Sequence, residues 1–298
     1  MAYVWFTSVV LIWSVSFLLM KKAAVCFAPA SVAAWRVLAG ALLVSWVWRW
    51  RGGRLTLRPP QYAALLVVIL IGFVWPFTIQ PALVARVGSG TLGMCVGFVP
   101  LYTVIVSVPM LRIYPTRLQL IGIVGALLSL GVLMLDRVRW EVSPWDMSLA
   151  LTVPFVYATS NIIVRRWLSQ IPSLEMVSLC LAGAALLLSP ALSLPQPPAG
   201  ATAATLRESI ISLATLGLVS TGIASVMFNR MIREQGPLFA AMTNNLVPVG
   251  AVIFGWLDAE PVSALQAVAL FGVVSMVALV QIAPRLSLRE EQAHRSES

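Results

Sequence analysis

Apolar residues in this chain come in long runs, not in the narrow stripes of a soluble helix. Ten stretches of about twenty residues are mainly apolar, at 2–20, 28–48, 61–81, 88–111 and 117–135, and then at 146–164, 173–192, 209–230, 237–257 and 262–282. Arg, Pro and Gly concentrate between them. A helix rises about 1.5 Å per residue, so roughly 20 such residues cross the roughly 30 Å hydrocarbon core of a bilayer. The pattern therefore predicts an all-α integral membrane protein of ten transmembrane helices. Connections are short, which leaves no room for a soluble domain; the longest, at 194–205, carries Pro195, Pro197 and Pro198. Residues 285–298 read as a solvated cytoplasmic tail.

The same positions recur along the chain. Trp13, Ser16, Lys21 and Lys22 reappear as Tyr157, Ser160, Arg165 and Arg166, displaced by 144, and Pro29, Ala39 and Gly40 reappear as Pro172, Ala182 and Gly183, displaced by 143. Gly88, Met94, Val99 and Pro100 return as Gly236, Met242, Val247 and Pro248, displaced by 148, and Gln119 and Gly125 as Gln266 and Gly272, displaced by 147. Near-constant offsets across four helix pairs point to a duplication, with residues 1–137 as one repeat and 138–284 as the other. Five spans is an odd number, so the second repeat enters the membrane upside down. Two inverted five-helix repeats place a pathway at their interface and let one half rock against the other, the geometry of alternating access.

Composition changes this picture little. The chain is 59% hydrophobic and 10% charged, which excludes a water-soluble globular domain. Its net charge of +9 is scattered singly or in pairs, so it reads as membrane orientation and not as a nucleic-acid surface. With the N-terminus inside, thirteen arginines fall on the cytoplasmic side and six Lys or Arg outside, which favours both termini inside; the expected location is a bacterial inner (plasma) membrane. Cys26, Cys95 and Cys180 read as packing residues, and the single histidine, His294, lies in the tail, so neither a metal nor a cofactor is expected.

Four stretches carry a resemblance: IWSVSFLLMKK at 12–22, WRVLAG at 35–40, VGSGTLGMCVGFVPLYT at 87–103 and LDAEP at 257–261. In this order they resemble the drug/metabolite transporter superfamily in its EamA-type ten-helix branch, and within it the YddG-type amino-acid exporters. The resemblance covers the chain to about residue 284. It implies a transporter, not an enzyme, that exports small neutral or zwitterionic metabolites such as amino acids. Other metabolites, or aromatic cations in the manner of multidrug efflux, are the alternative. The first repeat departs from the pattern with Tyr114 where the second has Glu260.

Residues that can carry solute follow from helical geometry. Positions i, i+3, i+4 and i+7 share a face, so Trp13, Ser16, Phe17 and Met20 form one stripe and Tyr157, Ser160, Asn161 and Val164 its counterpart. Two readings fit, a solute cavity with aromatic walls and ordinary helix packing. Asn244 and Asn245 precede Pro248 in the ninth helix; being about 100° apart, one is expected at the cavity and the other against a neighbouring helix. Tyr102 shares a face with Thr91, Cys95 and Phe98, which is equally a packing face, and Gln80 and Asn229 lie near helix ends as candidate gates. Arg36 is the one strong charge deep in an apolar run and must face protein or water. It can bind a substrate carboxylate or tie helix termini. All eleven Asp and Glu residues fall at loops, span ends or the tail, which disfavours proton-coupled cation antiport. A small-molecule solute, surrounding lipid and a monomer are the expected partners and state.

Overall fold

Where water is absent, a backbone has to satisfy its own hydrogen bonds, and a single apolar segment can do so only as a helix. A computed structural model describes residues 2–87, 89–137, 143–257, 268 and 271–280, and every regular element among them is helical. The elements are α1 (Ala2–Ala23), α2 (Pro29–Trp50), α3 (61–87), α4 (Ser89–Val96), α5 (Val99–Leu111), α6 (Arg117–Arg137), α7 (Pro144–Trp167), α8 (Ser173–Leu188), α9 (Ala203–Gln235), α10 (Pro237–Ala241), α11 (Thr243–Leu257) and α12 (Phe271–Val280). Six segments are long and apolar enough to cross a membrane: Ala2–Ala23, Pro29–Trp50, Gln61–Val84, Pro144–Trp167, Ser173–Ala191 and Ala203–Gln235. Residues 258–261 of the LDAEP stretch, Trp140 and the tail at 285–298 lie outside the described residues.

Local sequence sets the helix ends. Pro29 and Pro144 start α2 and α7 in the first turn, where the missing N–H costs nothing. The Ser143 side chain accepts from the Trp145 backbone N–H, and Asp146 adds a negative charge at the same N-terminus. Gly236 ends α9 with φ 94°, a conformation that only glycine adopts without strain.

Two of the ten expected helices are broken. The fourth is divided into α4 and α5 around Gly97 and Phe98, and the ninth into α10 and α11 at Met242. Pro100 and Pro248 follow these breaks, each removing one backbone donor. The third and eighth helices carry another irregularity that the apolar pattern did not announce: Ile69–Val74 in α3 and Leu216–Ile223 in α9 are wound as π-helix. Such turns leave a carbonyl without its usual intrahelical partner.

Packing joins the two halves of the chain. α1 lies against α11 and α9, while α5 lies against α7; α2 packs on α8 and on the π-stretch of α9, while α8 packs on the π-stretch of α3. The crossing of α2 with α9 is made backbone to backbone. A Cβ on Gly40 would sit 3.0 Å from the Gly217 carbonyl oxygen, and one on Gly217 would sit 2.9 Å from that of Arg36. At the crossing of α8 with α3, Gly183 faces the side chain of Ile69 instead.

Candidate functional site

Among these helices lies a cavity of ≈ 120 Å³. A water needs roughly 10–15 Å³ of such space, so there is room for a small solute or several waters. Both expected stripes line it: Trp13, Ser16, Phe17 and Met20 from α1, and Tyr157, Ser160, Asn161 and Val164 from α7. Every residue of one stripe and its partner, 144 positions along, thus border the same space.

The walls are largely aromatic. Trp13 leans on Phe228 of α9 with ring centroids 4.8 Å apart, and its indole N–H donates to the Ser220 carbonyl at 3.1 Å. That carbonyl belongs to the π-stretch, so an irregular turn of α9 supplies the acceptor that a buried Trp needs. Phe73 and Phe77 of α3, edge to face at 5.8 Å, form another part of the lining.

Arg36 enters the cavity from α2 and is 6% exposed. Its Nε donates to Thr221 Oγ1 at 3.1 Å, and Thr221 Oγ1 donates in turn to the Leu216 carbonyl at 2.9 Å. The guanidinium carbon stands 4.3 Å from the centre of the Phe77 ring, a cation–π distance. Among the described residues Arg36 makes no ion pair, and no Asp or Glu lines the cavity. Among the described residues its Nη groups have no hydrogen-bond acceptor.

Polar groups come mainly from the second half. Asn161, Asn229 and Asn244 line the cavity at 8%, 7% and 4% exposure. The Asn244 side chain donates to the Ala241 carbonyl at 3.2 Å, and Pro248 cannot donate to the backbone carbonyl of Asn244 as a regular helix residue would. Asn229 Oδ1 is buried without a partner. From the first half comes Gln80, 6% exposed.

Not every expected residue reaches the cavity. Asn245 is wholly buried away from it with neither side-chain polar atom bonded, so it does not tie a neighbouring helix as expected. Tyr102 packs edge to face on Phe155 at 5.7 Å, a contact between α5 and α7 outside the lining. Tyr102 therefore lies on a packing face of the fourth helix. Conversely, Phe73, Phe77, Ser220, Ser225 and Phe228 line the cavity without having been expected. Their signal was present as helical spacing, Phe73-Phe77-Gln80 in one helix and Ser225-Phe228-Asn229-Ile232 in another.

The ends of α1 and α7 are tied in a matching way. Ser209 Oγ donates to the Lys22 carbonyl at 2.9 Å, with Lys22 paired to Glu208 at 2.7 Å; Gln61 Nε2 donates to the Trp167 carbonyl at 3.2 Å. The α7 end carries further ties. Arg165 donates to the Arg233 carbonyl, Arg166 to that of Met110, and Arg233 Nε to that of Ser169 at 2.8 Å.

Comparison with known proteins places this geometry. The model of the EamA-like transporter family matches residues 1–135 and 144–282. The S-adenosylmethionine/S-adenosylhomocysteine transporters of Chlamydia trachomatis serovars L2 and D are each 27% identical over 263 residues, covering 83% of this chain and 78% of the relative. One crystal structure superposes with a TM-score of 0.76 at 17% identity over 95% of this chain and 98% of the other, a likeness of fold.

Proposed function

The chain belongs to the EamA-like transporter family, and we propose that it exports small neutral or zwitterionic metabolites, amino acids foremost, through the central cavity by alternating access. It is a multi-pass membrane transporter and not an enzyme. The mechanism rests on a ten-helix architecture of two inverted repeats, with both termini cytoplasmic. Four observations support that architecture: the family matches two successive segments, π-stretches occur in both α3 and α9, the fourth and ninth helices are both broken, and contacts come in pairs related by exchange of the halves.

One observation carries the transport reading. The stripe of α1 and its displaced counterpart in α7 line one cavity, so the lining is divided between two units that can tilt against each other. Tilting opens the cavity to one side when the ties at Lys22 and Ser209 break, and to the other when those around Arg165, Arg166 and Gln61 break. A second reading, that the solute carries an adenosyl group beside its amino-acid head, is favoured by what the chlamydial relatives are named for and by the aromatic wall of Trp13, Phe77 and Phe228. Counterflow in proteoliposomes tests both. Labelled amino acids should accumulate against an excess of the same unlabelled solute, or labelled S-adenosylhomocysteine should do so in the second reading. Absence of counterflow with either, in folded protein, would overturn the proposal.

A further inference from the structure

A guanidinium removed from water needs an anion or a full set of acceptors. Arg36 has one hydrogen bond, to Thr221, and no carboxylate beside it among the described residues. The scaffold does not call for the charge. At the position 143 residues along, where the repeat of α2 falls in α8, the chain has Leu179, packed against the core. Asn229, which lines the cavity, shows the complementary deficit, with Oδ1 buried and unbonded. The cavity therefore offers free donors at one group and a free acceptor at another, with aromatic walls around them.

We propose that these two groups read the two charges of an amino-acid head: the Nη groups of Arg36 hold the carboxylate, and Asn229 Oδ1 accepts from the ammonium. This rests on the transport reading above and narrows it, since both solute classes considered there share that head. A planar guanidinium can grip a carboxylate by two parallel hydrogen bonds while its Nε keeps Thr221 and its face keeps Phe77. A solute with an ammonium and no carboxylate meets an uncompensated positive charge in a poorly solvated space and is excluded. Selectivity against amines is thus a property of one side chain.

The experiment uses three solutes with the same ring: phenylalanine, 3-phenylpropionate, which lacks the ammonium, and 2-phenylethylamine, which lacks the carboxylate. They compete against labelled phenylalanine or labelled S-adenosylhomocysteine in counterflow with the full chain in proteoliposomes. Wild type should rank them in that order, the amine last. Arg36→Gln, which keeps a donor for Thr221, should weaken the zwitterion by about tenfold to a hundredfold, the range of a charge-assisted hydrogen bond, and should erase the handicap of the amine. Arg36→Lys should restore part of the ranking, and Asn229→Leu should abolish the advantage of phenylalanine over 3-phenylpropionate. Equal losses for all three solutes in Arg36→Gln at normal abundance would make Arg36 a helix tie and overturn the proposal. If Arg36→Gln does not fold, an unchanged ranking in both Arg36→Lys and Asn229→Leu overturns it equally. Failure of wild type to exchange either labelled solute sinks the transport reading and this inference together, whereas exchange with a ranking indifferent to both residues sinks the inference alone.

Discussion

The two halves contribute to one cavity from corresponding positions and with different chemistry. Where the first half presents Phe17 and Val96, the second presents Asn161 and Asn244, at displacements of 144 and 148. Trp13 corresponds to Tyr157, and Arg36 to Leu179. The crossings diverge as well: α2 meets α9 through glycine backbones, whereas α8 meets α3 through the side chain of Ile69. Several corresponding positions thus share a place at the cavity while the residues that fill them differ. An asymmetric solute needs such an asymmetric lining.

Removing a wall should have the largest effect on this comparison. Tyr157→Ala deletes most of the aromatic surface that the second half brings from α7, and a side chain of that size is worth roughly 1.5–3 kcal/mol of burial. Solute affinity should fall on the order of tenfold to a hundredfold, read as the concentration dependence of counterflow at normal membrane abundance. Unchanged kinetics would make the stripe ordinary helix packing.

The crossings can be set against each other by adding one methyl to each. In Gly217→Ala the new Cβ lies 2.7 Å from Ala39 Cβ and 2.9 Å from a backbone oxygen of Arg36, so whole helices have to separate. Overpacking of this kind costs about 1–3 kcal/mol. In Gly183→Ala the obstacle at 2.7 Å is Ile69 Cδ1, the end of a flexible side chain that can turn aside. Thermal unfolding in detergent should show the larger loss for Gly217→Ala, and equal losses would mean that the two crossings are equivalent.

A smaller, selective effect is expected at Asn161. Asn161→Leu keeps the volume and removes the hydrogen-bonding group, so polar solutes should weaken by up to about tenfold, roughly the worth of one hydrogen bond, while apolar analogues change little. Parallel weakening of both would assign Asn161 to packing. Ser129→Ala, which loses only a bond to the Gly125 carbonyl one turn back in α6, is the control and should transport as wild type.

How far the sequence could be read depends on what kind of regularity each feature obeys. Helix positions and the α1 and α7 stripes follow from length and spacing, and both were legible. Pro100 and Pro248 marked the neighbourhoods of the broken helices, yet not the side on which each piece faces, which is why Tyr102 was expected at the cavity. The π-stretches at 69–74 and 216–223 are insertions of winding that no period reports, and they carry the carbonyl that holds Trp13. Helices three and eight showed no matched residues in the repeat, so apart from Gln80 and Asn229 their lining side chains were passed over, although Phe73 and Phe77 keep helical spacing with Gln80. Arg36 was legible as an anomaly; its missing partner was visible only once the neighbours were in place.

The least effect is expected from a proton gradient. Sequence suggested that no carboxylate lies deep in a span, and the described structure refines the point: Glu175 and Asp146 are buried, at 1% and 8% exposure, yet both stand in the first turn of a helix. Glu175 accepts from the Thr56 N–H and hydroxyl at 2.7 and 2.8 Å, and Asp146 pairs with Arg86 at 3.0 Å. Neither lines the cavity. Proton coupling needs a group whose protonation changes as the solute enters or leaves, and no Asp, Glu or His lines the cavity among the described residues. Solute counterflow should therefore be the same with the pH gradient intact and after it is collapsed by a protonophore. A strict requirement for the gradient would place a titrating group on the path and overturn this expectation.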